Sequence, residues 1–145
     1  MVWAQRAGLT VGWLSSRASA ATTQRAAQLA IRLVVQGVAS KADAFQRIVR
    51  DAGLAEEAVA YMGDDLIDLP VLARAGLSAA PADAAPEVLQ RVAWTSSAPG
   101  GRGAVREFIE MILRAQHRWD RVVGEYVRQF DSDHGRPAAP EGPAV

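Results

Sequence analysis

Between residues 9 and 95, short apolar runs alternate with stretches of helical pattern, and that alternation constrains the fold more than any other feature of the sequence. Leu9 to Leu14 (LTVGWL), bounded by Gly8 and by Ser15-Ser16, reads as a buried strand. Ser19 to Ala30 reads as a helix, and Arg32 to Val35 (RLVV) as a second strand closed by Gln36-Gly37. Ser40 is suited to cap a helix running through Gly53, in which Ala44, Phe45, Ile48 and Val49 recur at helical spacing. Ala58 to Met62 (AVAYM) is a third strand; it enters GDDLIDLP at residues 63–70 and a helix reaching Ala75. Leu77 to Ala80 is a fourth strand, Pro86 to Arg91 a brief helix with Pro in its first turn, and Val92 to Thr95 a fifth strand. Past a glycine-rich stretch, apolar residues from Val105 to Phe130 keep three-and-four spacing, which predicts one long helix. Residues 131–145 turn to Pro, Gly, Ala and Asp without periodicity; they read as a disordered tail behind a domain over 1–130.

Strands alternating with helices and joined by short turns imply an α/β fold around a mostly parallel sheet. Ligands in such folds bind at the carboxyl ends of the strands. The chemistry is therefore expected just after each strand, at Ser15 and Ser16, at Gln36 to Lys41, and at Asp64 to Asp68. Composition removes several alternatives. With 16 basic and 16 acidic residues the chain lacks the basic surface a nucleic-acid partner requires. No run approaches the ~20 apolar residues of a membrane span. Without cysteine there is no disulfide framework, thiolate zinc site or cysteine nucleophile, a usage compatible with the cytoplasm.

Ser15-Ser16-Arg17 leads from a strand into a helix, where hydroxyls and free N–H groups form either an anion cradle or an ordinary helix cap. Lys41 is the only lysine beside fifteen arginines. At a helix start it is disfavoured by the helix dipole, so it is either a solvated residue or one kept for a compact ammonium. Asp64, Asp65 and Asp68 put three carboxylates within one turn. They suit Mg²⁺, although a helix N-terminus also accepts acids without a metal. Gly100-Gly101-Arg102-Gly103, followed by Arg106 and Glu107, is either a loop that closes over an anion or a flexible hinge into a packing helix. His117 and His134 lie apart from any cluster.

Taken in order, QRAGLTVGWLSSR, QGVASKADAF, YMGDDLIDLPVLARAGLSAAPADAAPEV and APGGRGAVREFIEMIL resemble the haloacid dehalogenase superfamily, and more closely its capless 3-deoxy-D-manno-octulosonate 8-phosphate phosphatases. The resemblance implies a Rossmannoid three-layer fold and a cytoplasmic, Mg²⁺-dependent hydrolase of a phosphorylated sugar acid, of the kind used in lipopolysaccharide biosynthesis and assembled as a homotetramer. It implies that Ser15 hydrogen-bonds the phosphoryl oxygens, that Ser16 offers its N–H to them, and that Lys41 neutralises charge. Asp64 becomes the direct metal ligand, with Asp65 and Asp68 behind it or on metal-bound water, while Arg17, Arg102 and Arg106 face the sugar acid.

One departure is large. The family opens with a strand ending in Asp-x-Asp, whose first Asp is the nucleophile, followed by a hairpin that builds the tetramer. Here no acidic residue precedes Asp43, and Ser16 replaces a usual Gly. An acid-free, arginine-containing start is also compatible with a transit peptide. The expectation is an N-terminally truncated reading frame, inactive by itself, whose sheet lacks its central first strand. The alternative is a non-catalytic binding or assembly subunit.

Overall fold

The computed structural model describes residues 1–133. Helix α1 (Val2–Arg6) precedes strand β1 (Gly12–Leu14), helix α2 (Ala20–Gln28), strand β2 (Leu33–Val35) and helix α3 (Lys41–Asp51). Strand β3 (Ala60–Met62) leads through a tight helical turn at Leu66–Asp68 into helix α4 (Leu69–Leu72). Strand β4 (Leu77–Ala80), helix α5 (Pro86–Leu89), strand β5 (Trp94–Thr95) and helices α6 (Ala104–Ala115) and α7 (Trp119–Asp133) complete it. The hydroxyls of Ser19 and Ser40 accept the N–H groups of Thr22 and Asp43 at 3.3 and 3.2 Å, capping α2 and α3.

All strand pairs are parallel, but they form two sheets, β1-β2 and β3-β4-β5, where the sequence pattern predicts one. Leu14 of β1 and Tyr61 of β3 pack on the same cluster of Phe45, Val49 and Val71, so α3 joins the sheets by side-chain packing. Among the described residues no strand pairs across that junction. A second cluster gathers Leu72, Ala80, Ala84 and Val88, and a third gathers Ala7, Leu113 and Val122 beneath Trp3 and Trp119.

The single long helix expected from Val105 to Phe130 is two. His117 adopts a left-handed φ of +54°, its N–H donates to Arg114 O at 2.9 Å, and the N–H of Arg118 donates to Leu113 O at 2.8 Å. This pair of bonds ends α6 as a Schellman cap, with histidine where glycine is usual. The chain then turns so that α7 lays Trp119 and Tyr126 edge-on against Trp3, at 6.1 and 5.0 Å between ring centroids. Helix α7 runs through Asp133, past the expected domain boundary at 130. The rest of the expected tail, 134–145, lies outside the described residues.

Candidate active site at the strand ends

Lys41 opens α3 after β2, and Asp68 closes the helical turn after β3. The Lys41 Nζ lies 2.6 Å from Asp68 Oδ1, with side chains 11% and 2% exposed, so the carboxyl ends of β2 and β3 share one edge of the molecule. An ammonium at a helix start opposes the helix dipole. The buried carboxylate opposite offsets this and answers why a lysine stands at that position. The hydroxyl of Tyr61 donates to the same Oδ1 at 2.6 Å. Asp68 Oδ2 accepts the N–H groups of Asp64 and Asp65, each at 3.3 Å. Burial first, then the hydrogen bond to Asp68 and the negative charge of Asp68 and Asp64, raise the Tyr61 hydroxyl well above the ordinary tyrosine range. Tyr61 is thus a fixed donor.

Gly63 makes this packing possible, since a Cβ there would stand 2.5 Å from Asp68 Cβ. The three expected metal carboxylates do not converge. Asp68 is committed to Lys41, Tyr61 and two backbone amides, and Asp65 Oδ1 accepts the N–H of Leu66 at 2.7 Å. Among the described residues no group of three His, Cys, Asp or Glu is placed to hold a metal. Asp64 is exposed and lines a cleft of about 180 Å³ with Met62, Pro81, Gly100, Gly101 and Val105. Mg²⁺ commonly takes only one or two protein carboxylates and completes its shell with water and phosphate. Asp64, open to the cleft, could be one such ligand, and Asp68 behind it holds Lys41 and the backbone of the loop that carries Asp64.

Ser15 and Ser16 are half-buried after β1. The Ser15 Oγ donates to Arg17 O at 2.9 Å and accepts the Arg17 N–H at 3.1 Å, a local turn that fixes the loop after β1. Arg17, Arg102 and Arg106 are exposed and form no ion pair among the described residues. Arg102 lies on the turn that walls the cleft opposite Asp64. A wider hollow of about 570 Å³ beside α3 is lined by Gly37 to Ser40 of the expected loop after β2 and by Asp43, Gln46, Arg47 and Arg50, but not by Lys41, Ser15, Ser16, Asp64, Asp65 or Asp68. Sequence reasoning missed Tyr61. Its signal is a tyrosine in an apolar strand, because a buried phenol needs a partner for its hydroxyl.

Parallel strands, helical crossovers and a lysine–aspartate pair at the strand ends define an α/β protein whose charged residues gather where such folds bind their ligands. Residues 13–109 match the haloacid dehalogenase-like hydrolase family, and the chain belongs to it. Within that family it is similar to 3-deoxy-D-manno-octulosonate 8-phosphate phosphatase KdsC of Escherichia coli strain K12, at 39% identity over 119 residues, covering 82% of this chain and 63% of that protein. The solved 3-deoxy-D-manno-octulosonate 8-phosphate phosphatase of Yersinia pestis superposes with a TM-score of 0.80 at 37% identity, over 82% of this chain and 64% of that one. The Moraxella catarrhalis phosphatase of the same name, solved with magnesium, phosphate and KDO, gives a TM-score of 0.83 at 29% identity, over 86% and 72%. The chain thus spans less than two thirds of the length of the first two.

Proposed function

We propose that this chain carries the phosphate-, metal- and sugar-acid-binding part of a phosphatase for a phosphorylated sugar acid such as 3-deoxy-D-manno-octulosonate 8-phosphate. The observation that carries the reading is the Lys41–Asp68–Tyr61 arrangement, which holds an ammonium at the strand ends, on the loop system that carries an open Asp64. In this reading Ser15 and Ser16 receive the phosphoryl oxygens, and Lys41 balances their charge. Arg17, Arg102 and Arg106 meet the sugar-acid carboxylate and hydroxyls. Asp64 holds Mg²⁺, which supplies charge neutralisation when bound; Asp65 stands beside it. Phosphoryl transfer relies mainly on such positioning and charge balance. A cytoplasmic setting and a homo-oligomeric assembly belong to the same reading; among the described residues no helix is long and apolar enough to cross a membrane.

Calorimetric titration of the purified chain with Mg²⁺ and inorganic phosphate tests it. Binding that is lost in Asp64→Asn and weakened at least tenfold in Lys41→Ala is expected; equal binding by all three proteins overturns the reading. Incubation with 3-deoxy-D-manno-octulosonate 8-phosphate should release no phosphate, because the first 42 residues offer no carboxylate to be phosphorylated. Steady turnover by the chain would refute that part.

A further inference from the structure

The glycine-rich turn opposite Asp64 is fastened at both ends by carboxylates. Glu107, in the first turns of α6, takes the Ser96 hydroxyl on Oε2 at 2.6 Å, the Ser97 N–H on the same oxygen at 2.9 Å and the Ser97 hydroxyl on Oε1 at 2.7 Å. Ser96, itself buried, accepts the N–H of Ala98 at 3.0 Å. Beyond the turn's first residue, Asp83 Oδ1 accepts the Gly100 N–H at 2.7 Å, and the Ala82 N–H donates to Ala98 O at 3.1 Å. Between these anchors the Arg102 N–H closes onto Pro99 O at 3.1 Å, and Gly103 enters α6 at φ +119°, which only glycine adopts without strain.

A run of Pro99-Gly-Gly-Arg-Gly beside a binding cleft would be among the most freely moving segments of a chain if left alone. Ordering such a segment at the moment of binding weakens affinity, and fixing it beforehand removes that penalty. Simple loop closure needs only neutral bonds; here one ionised carboxylate takes three donors, and charge-assisted bonds are about twice as strong as neutral ones. Glu107 and Asp83 thus fix the wall formed by Gly100 and Gly101 and the point from which Arg102 extends.

We infer that Glu107, supported by Asp83, is a positioning residue that presets the Pro99–Gly103 turn for the sugar-acid end of the ligand, leaving the phosphoryl end to Ser15, Lys41 and Asp64. The inference rests on the proposed function, and the two can fail separately.

The test uses the full chain with Mg²⁺, titrated with 3-deoxy-D-manno-octulosonate and, separately, with inorganic phosphate. Glu107→Gln places an amide nitrogen among donors and should weaken sugar-acid binding about tenfold, the value of one hydrogen bond to a charged group, while phosphate binding stays within about twofold. Glu107→Asp, which keeps the charge, should recover part of the loss. Asp83→Asn acts on the other end of the turn, should lower sugar-acid affinity in the same direction, and replaces Glu107→Gln if that variant does not fold. Unchanged sugar-acid binding, or equal loss of both ligands, overturns the inference. If the wild-type chain binds phosphate but no sugar acid, the proposed substrate class fails, and hydrogen exchange at Gly100 and Gly101 decides the turn: faster exchange in Glu107→Gln supports anchoring, and unchanged exchange overturns it.

Discussion

Lys41 and Asp68, 27 residues apart, meet at 2.6 Å and tie the loop after β2 to the loop after β3. Among the described residues no strand pairing links these two parts of the fold, so the pair and the α3 packing beneath it hold the site's halves together. It is a buried pair, and such pairs show their strength when one partner is removed.

Lys41→Ala leaves a carboxylate with a 2% exposed side chain facing no cation and should destabilise the chain by ~3–5 kcal/mol in urea titration. Tyr61→Phe removes one bond to the same oxygen and should lower stability by ~1.5–3 kcal/mol. Because both act on Asp68 Oδ1, the double variant should lose less than the sum. Strict additivity would mean that the three groups do not act as a unit.

Gly63→Ala should be damaging although the change is one methyl group. Its Cβ would stand 2.5 Å from Asp68 Cβ and 2.6 Å from Asp68 Cγ, so the buried carboxylate must move. Overpacking of this kind destabilises by ~1–3 kcal/mol. Thermal melting should show the loss, and phosphate titration should show weaker binding as Lys41 loses its anchor.

The Glu107 carboxyl lies below its ordinary value of 4.5, held there first by the Ser96 hydroxyl and then by Ser97 and the Ala98 backbone. A depressed folded value means that its contribution to stability is present above the unfolded value and is lost as pH falls through the folded one. Melting temperature should therefore drop on acidification below pH 4.5, and Glu107→Gln should flatten the part of that slope due to this group. An identical slope in wild type and variant would remove Glu107 from the acid response.

The fold was legible where local chemistry decides it. Leu77–Ala80 forms the strand its pattern predicts and Ser40 caps α3 as expected, whereas α2 is capped by Ser19 and not by the Ser15-Ser16 pair, whose Ser15 turns onto Arg17. The break at His117 was not, because neither Gly nor Pro marks it; the Schellman bonds and the docking of Trp119 and Tyr126 on Trp3 outweigh the left-handed strain. The site was legible as a set of residues, not as a set of contacts. Spacing brings Asp64, Asp65 and Asp68 onto one turn, but only tertiary folding directs Asp68 inward to Lys41 and Tyr61.

Ala30 shows how the same cap can be improved. It sits at φ +53° after α2, with its N–H donating to Ala27 O at 3.0 Å and that of Ile31 to Ala26 O at 2.9 Å. Ala30→Gly should stabilise the chain by about 0.5–1 kcal/mol, the relief of left-handed strain less the greater freedom of Gly when unfolded. A lower melting temperature would show that the strain is already relaxed.

The single lysine has a consequence for labelling. Apart from the amino terminus, the chain's one primary amine is the Lys41 ammonium, 11% exposed and paired with Asp68. Acylating reagents, which usually mark a protein's surface at many places, become here a reporter on one loop junction: modification at Lys41 records each opening of the pair, and protection records its closure.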